Sequence, residues 1–281
     1  MYLSHFGLVE RPFALTPDTA YAFSTRGHQE ALNTLLVAIA GGEGFIKITG
    51  EVGTGKTLLC RRLLGALGGD YVSCYLPNPD LTPRTLLLSL DAELGGHAPA
   101  SATHYTLHKS LNHKLVALAA EGRRVVVCLD EAQGLSHANL EALRLLSNLE
   151  TEKRKLMQVV LFGQPELDER LARNDLRQLR QRIAFAYRLH GVSRRELGLY
   201  VEHRMRVAGH LGAPVFTPAA VAQLLRESGG TPRVVNVLAH KSLLTVFGEG
   251  GSTVERRHVR AAARDGAEPA PWRRWFGWAL R

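Results

Sequence analysis

Gly50-Glu51-Val52-Gly53-Thr54-Gly55-Lys56-Thr57 is the stretch whose residue types and spacing could do chemistry. Glycine costs conformational entropy in any regular element, so its recurrence here needs a reason. The spacing fits GxxxxGK[ST], in which bare backbone lets successive N–H groups converge on phosphate oxygens. A helix starting near Thr57 adds its positive N-terminal end. In that arrangement Lys56 reaches the outer phosphates of a nucleoside triphosphate and the Thr57 hydroxyl ligates Mg²⁺. The expected ligands are ATP and Mg²⁺. The expected nucleotide contacts are Gly50, Glu51, Val52, Gly53, Thr54, Gly55, Lys56, Thr57 and Leu58.

A second group follows an apolar run, Val125-Val126-Val127-Cys128-Leu129-Asp130-Glu131. Five consecutive apolar residues read as a strand covered on both faces. In a parallel sheet, ligands gather at the carboxyl ends of strands. Asp130 there is placed to hold Mg²⁺, and Glu131 to polarise the water that attacks a terminal phosphorus.

These groups must be positioned by a scaffold, and the chain supplies one. Strands are predicted at 44–50, 71–77, 124–133 and 156–163, with a strand-like segment, IAFAYRL, after Arg182. Helical patterns at 27–40, 57–67, 82–94, 105–122 and 137–150 alternate with them. Thr82 reads as an N-cap with Pro83 at the first helical position. Alternation of this kind predicts an α/β fold, a parallel sheet with helices on both faces. From about 193 the strands stop and four helical segments follow. The expected division is an α/β domain over 1–192, a smaller all-helical domain over 193–265, and a linker with a Trp/Arg-rich tail over 266–281.

The totals are those of a soluble globular protein: 281 residues, 45% hydrophobic and 22% charged. Lys and Arg number 35 against 26 acids, a net charge of +9, which points to an anionic partner without choosing one. Cys60, Cys74 and Cys128 lie in apolar runs and have no CxxC spacing, which favours buried thiols and a cytoplasmic setting. No apolar run approaches the ~20 residues of a spanning helix. His104 and His108 are spaced i, i+4, but no acidic or thiol partner accompanies them, so a metal site is not expected there.

The phosphate loop, the acidic pair after an apolar strand and the helical C-terminal part together resemble the AAA+ ATPases. More narrowly, YLSHFGLVERPFALTPD, GEVGTGKT, LDEAQ and FGQPEL resemble the ExeA branch, the general secretion pathway protein A family. Within that branch, the lack of a long C-terminal extension is similar to the MshM group of mannose-sensitive haemagglutinin pilus biogenesis. The resemblance implies a Mg-ATP-hydrolysing enzyme serving a type IV pilus or a type II secretion-related machine. It implies a polar sensor at Gln164 and an arginine acting across a subunit boundary. The segment LRQLRQRIAF offers Arg177, Arg180 and Arg182 for that, with Arg182 first and Arg180 next. It also implies that Arg233, near the start of a lid helix, meets the γ-phosphate. Ring or dimer formation is then expected, with pilus or secretion proteins as partners.

Two features stay open. Residues 170–206 hold ten arginines and three acids, suiting a ring interface, a DNA backbone as in transposition helpers or origin-recognition proteins, or a plain solvated surface. Trp272, Trp275 and Trp278 lie with Arg273, Arg274 and Arg281 in the last ten residues. Trp with Arg suits contact with the inner membrane, but docking to a protein or packing onto the helical part fits too.

Overall fold

The run Val125–Leu129 is buried throughout, which requires cover on both faces of its sheet. A computed structural model describes residues 2–15, 19–21, 23–77, 81–150 and 155–265. In chain order the elements are α1 (Tyr2–His5), α2 (Arg26–Ala40), β1 (Phe45–Gly50), α3 (Lys56–Ala66), β2 (Tyr71–Leu76), α4 (Pro83–Glu93), α5 (His104–Ala120), β3 (Arg124–Leu129), α6 (His137–Leu146), β4 (Met157–Gly163), α7 (Glu166–Leu171), α8 (Arg177–Arg182), β5 (Ile183–Leu189), α9 (Arg194–Val207), α10 (Pro218–Ser228), α11 (Pro232–Gly248) and α12 (Arg256–Arg264). They form two compact units, one of residues 24–190 and one of residues up to 23 together with those from 191.

The first unit is a five-stranded parallel sheet in the order β2-β3-β4-β1-β5. Strand side chains alternate between faces, and the core divides accordingly. Val125, Val127 and Leu129 pack with Leu86, Leu107, Leu140 and Leu167 from α4–α7. Val126 and Cys128 join Ile46, Ile48, Val160 and Phe162 against Leu35 of α2 and Leu59 and Leu63 of α3. Thr82 caps α4 with Pro83 at its first turn, as predicted. All three cysteines are buried thiols.

A buried carboxylate lies on the α4–α5 side of this unit. The Asp91 carboxylate is 1% exposed and accepts from Lys114 Nζ (2.8 Å), Ser110 Oγ (2.8 Å) and the Ala98 amide (3.2 Å). A Cβ on Gly96 would meet Lys114 and Asp91 side-chain atoms at 1.7 and 2.0 Å, so only glycine closes over the pair.

The second unit stacks α9–α12 around Leu197, Val201, Leu224, Val235 and Leu243. Residues before 24 pack into this helical core through Phe6, Leu8, Phe13 and Tyr21, not into the α/β domain to which the sequence reading assigned them. The physical reason is Arg204, 8% exposed on α9. Its guanidinium donates to the carbonyls of Pro12 (2.6 Å) and Ala14 (3.2 Å) and stacks over the Tyr21 ring at 4.7 Å. Among the described residues, no helix is long and apolar enough to cross a membrane. The tryptophan-bearing tail lies outside the described residues.

Burial alone would raise the Asp91 carboxyl, but the bonds from Lys114, Ser110 and the Ala98 amide outweigh it and hold it below its ordinary value. Its contribution is therefore whole at neutral pH and fades as pH falls below about 4. Asp91→Asn should cost about 2–3 kcal/mol near neutrality, less than a fully enclosed pair because Lys114 can turn to water. In acid titrations of unfolding free energy, parent and variant should converge as pH falls; parallel curves would show that the ion pair contributes nothing.

Candidate nucleotide site

Parallel strands place their carboxyl ends on one edge, and three of them deliver the candidate residues there. β1 ends at Gly50, β3 runs into Asp130 and Glu131, and β4 runs into Gln164. β4 lies between β1 and β3, so the loop after β1 must cross it to meet the acids. It does so by turning at Gly53 (φ 79°) and Gly55 (φ 95°), values in the left-handed region that favours glycine. α3 then starts at Lys56.

The crossing ends in direct contact. Thr57 Oγ1 donates to Asp130 Oδ2 at 2.6 Å, and the Glu131 amide donates to Asp130 Oδ1 at 3.0 Å. Two hard oxygen donors held together fit a Mg²⁺ ion, which binds through few protein oxygens and retained waters. Lys56 is 5% exposed, and its Nζ donates to the carbonyls of Gly50 (2.7 Å) and Glu51 (3.1 Å). Burial lowers its pKa, against the pull of the Glu131 and Asp130 carboxylates. Burial likewise raises the Asp130 carboxyl, more than the Thr57 bond and the Glu131 amide lower it.

Glu131 is the sole non-glycine residue with positive φ among the described residues (φ 52°, ψ 37°). Such a conformation costs about 1–3 kcal/mol and persists only where its surroundings impose it. Here they do. Glu131 Oε2 accepts from Gln133 Nε2 (2.5 Å) and Gln164 Nε2 (3.0 Å), and Gln133 Oε1 accepts from the Gln164 amide (3.0 Å). Burial alone would raise this carboxyl; the two amide donors and Lys56 outweigh it and hold it below its ordinary value.

Gly50, Lys56, Thr57, Asp130, Glu131 and Gln164 are thus linked through hydrogen bonds at one sheet edge. The predicted arginines have other neighbours. Arg182 donates to Asn148, and Arg180 to the Ala172 carbonyl, at the end of α8 that feeds β5. Arg233 lies exposed in the first turn of α11, in the helical unit. The Gly229-Gly230 turn before it is pinned to Val192, whose amide donates to the Gly230 carbonyl at 2.7 Å.

Two site residues escaped the sequence reading. Gln133 was visible only as part of LDEAQ. His28 left no local signal, standing as an ordinary residue near the start of a helical pattern. It is 7% exposed, and its Nε2 meets the Thr54 carbonyl at 2.9 Å while Nδ1 meets Thr25 Oγ1 at 2.6 Å. A carbonyl only accepts, so Nε2 carries the proton and Nδ1 accepts from the hydroxyl. A Cβ on Gly55 would approach His28 Nε2 to 2.7 Å, so the histidine and the bare loop fit each other.

A glycine turn on a helix N-terminus, a Thr–Asp oxygen pair and a restrained carboxylate, all on the carboxyl edge of this sheet, define the P-loop fold of the AAA type, here accompanied by a helical region. Residues 39–171 match the family model described as an AAA domain. The chain is 42% identical over 263 residues to General secretion pathway protein A of Aeromonas hydrophila, covering 94% of this chain and 48% of that protein. It spans about half the length of the curated relative it matches. Among solved structures, the ORC2 protein of Aeropyrum pernix in its ADPNP-ADP complexes superposes with TM-score 0.67 at 20% identity over 94% of this chain and 74% of that one. Cdc6p of Pyrobaculum aerophilum gives 0.66 at 14% identity over 92% and 71%. The RuvB branch migration motor of Thermotoga maritima gives 0.56 at 15% over 88% and 73%. At such identities these likenesses establish the fold alone.

His28→Ala should remove the strut between α2 and the loop. The expected cost is about 1–2 kcal/mol of stability and roughly tenfold weaker ATP binding, one such increment of binding energy. Thermal melting and titration with a fluorescent ATP analogue read the two effects; unchanged affinity would show that the loop holds its shape without His28.

Proposed function

We propose that the chain binds Mg-ATP and hydrolyses it to ADP and phosphate, in support of a type IV pilus or a type II secretion-related envelope machine. The observation that carries the chemistry is Glu131, strained at its backbone and held by two amide donors beside Lys56 and Asp130. A fixed carboxylate at that position takes a proton from the attacking water. Lys56, turning from the carbonyls of Gly50 and Glu51, meets the β- and γ-phosphates. Thr57 and Asp130 hold Mg²⁺, which when bound neutralises charge on the phosphate oxygens. Gln164 orients Glu131 and is positioned to report the state of the γ-phosphate.

The biological setting rests on the likeness to General secretion pathway protein A. The protein is proposed to work at the cytoplasmic face of the inner membrane, with the tail over 266–281 as a contact to lipid or to an assembly protein. Oligomerisation completes the site: Arg182, or next Arg180, reaches a neighbouring subunit's nucleotide, and Arg233 approaches the γ-phosphate from the helical unit.

Glu131→Gln should keep ATP bound and slow turnover by at least about 10²-fold, since it spares the phosphate contacts and removes the base. Lys56→Ala should instead weaken binding itself. Equilibrium binding and phosphate release on both variants test the assignment; parental hydrolysis by Glu131→Gln would refute it.

Arg182→Ala should leave ATP affinity of the subunit unchanged and lower turnover of the assembled form by about 10³-fold or more. Mixing it with Glu131→Gln should restore activity, because some mixed interfaces contain one intact site. Mixed oligomers without recovery would place the arginine's action within its own subunit.

A further inference from the structure

Arginines in the helical unit are not evenly spread. On α12 the sequence Arg256-Arg257-His258-Val259-Arg260-Ala261-Ala262-Ala263-Arg264 buries His258, Val259 and Ala262 and leaves its four arginines exposed. Arg256, Arg260 and Arg264 recur every four residues and so form one line, about 6 Å apart along the axis. They border an open groove with Thr217 and Ala219 beside α10, whose lining also holds Arg257 and one carboxylate, Glu255, the two paired with each other.

Two of the surrounding guanidiniums are drawn together at a cost. Gln223, 3% exposed on α10, accepts through one oxygen from both Arg226 Nη1 (3.2 Å) and Arg256 Nε (3.1 Å). The Gln223 amide nitrogen is committed to Glu227 (2.7 Å). Arg257 is neutralised by Glu249 and Glu255. Arg260 and Arg264 have no ion pair among the described residues. Like charges converging on a neutral amide repel, and a multivalent anion relieves that repulsion.

At about 730 Å³ the groove has the size of a small-molecule site, but such sites are mostly apolar. This lining offers no aromatic or large aliphatic side chain, so it suits a charged surface better than a buried ligand. The sequence beyond α12 indicates which surface. From Asp265 to Trp272 the chain can reach at most about 25 Å, and Trp272, Trp275 and Trp278 then alternate with Arg273 and Arg274. Tryptophan belongs at bilayer interfaces, with arginine at the headgroups.

We propose that the groove of Arg256, Arg260 and Arg264 docks on anionic phospholipid headgroups, so that the helical unit itself engages the membrane. This deepens the membrane-face reading above, which rested on the tail, and the two are separable by experiment.

Full-length protein, an R260Q/R264Q variant, the conservative R260K/R264K variant and a chain lacking 270–281 are compared. Each is sedimented with vesicles of phosphatidylcholine alone or with one third phosphatidylglycerol, at low and near-physiological salt. Each arginine near an anionic surface is worth roughly fivefold in partitioning, so R260Q/R264Q should bind the anionic vesicles about 25-fold more weakly. R260K/R264K should bind as the parent does, and ATP turnover without vesicles should be the same in all. Equal binding by R260Q/R264Q overturns the proposal, as does loss of binding in R260K/R264K, which would make the effect one of packing. Loss confined to the tail deletion leaves the tail reading and removes the groove; loss confined to R260Q/R264Q does the reverse. A DNA duplex that binds the parent more tightly per phosphate than the vesicles do, and only through these arginines, assigns the groove to nucleic acid instead.

Discussion

The hydrogen bond from Thr57 to Asp130 is the constraint on which the site depends. It joins the first turn of α3 to the end of β3, although β4 separates β1 from β3 in the sheet. Adjacent strands lie about 4.8 Å apart, so the loop must carry the chain roughly 10 Å sideways within a few residues. Only a tight reversal does that, which is why Gly53 and Gly55 take left-handed backbone and why the Cβ of any other residue at 55 would strike His28. The glycines therefore serve geometry twice, exposing amides on one side and letting the loop seat against α2 on the other.

The same edge fixes Glu131. A carboxylate that must accept a proton has to be near Lys56 without collapsing onto it. The left-handed turn at Glu131 directs the side chain away from the strand line, and the Gln133 and Gln164 amides hold it there. β4 contributes beyond its place in the sheet, since a Cβ on Gly163 would come 2.7 Å from Leu167 Cδ2 and 3.4 Å from Gln133 Oε1. Bare backbone at 163 thus lets the two glutamines close around the carboxylate. The strain at one residue is balanced by hydrogen bonds from Gln133, just after β3, and Gln164, just after β4, so the arrangement is stable only when both are in place.

Much of this was legible in the sequence because its signals are local. The glycine spacing, the apolar run before Asp130 and the alternation of periods are each contained in a short window, and they led to the sheet, to α3, and to Thr57 and Asp130 as the two expected Mg²⁺ ligands. Gln164 came from the family resemblance, which implies a polar sensor at the end of the strand beside the acidic one. His28 could not, since its role depends on α2 lying against the loop 26 residues away. Nor could the N-terminal segment be assigned to the helical unit. Arg204 recognises it through backbone carbonyls, which every residue has, so no side-chain pattern records the contact. Asp91 illustrates the same limit: a lone aspartate in a leucine-rich helix reads as surface until Lys114 is seen across from it.

The fate of the arginines also separates structure from function. Arg204 is consumed by the fold, with its donors on carbonyls and its face on Tyr21. Arg144, Arg206 and Arg257 are balanced by carboxylates on the same or the next element. The exposed pairs of Arg206 and Arg257 are worth about 0–1 kcal/mol each, so they neither hold the fold nor need a partner outside it. Arg233, Arg260 and Arg264 differ, since no ion pair among the described residues uses them and no packing explains their exposure. A net charge of +9 is thus no uniform property of the surface. Once internal pairs are set aside, exposed arginines of the helical unit with no ion pair among the described residues include Arg194 and Arg195 at the start of α9, Arg233 at the start of α11, and Arg260 and Arg264 along α12. Repulsion among gathered charges opposes folding. Along α12 its persistence is what the proposed anionic surface would account for.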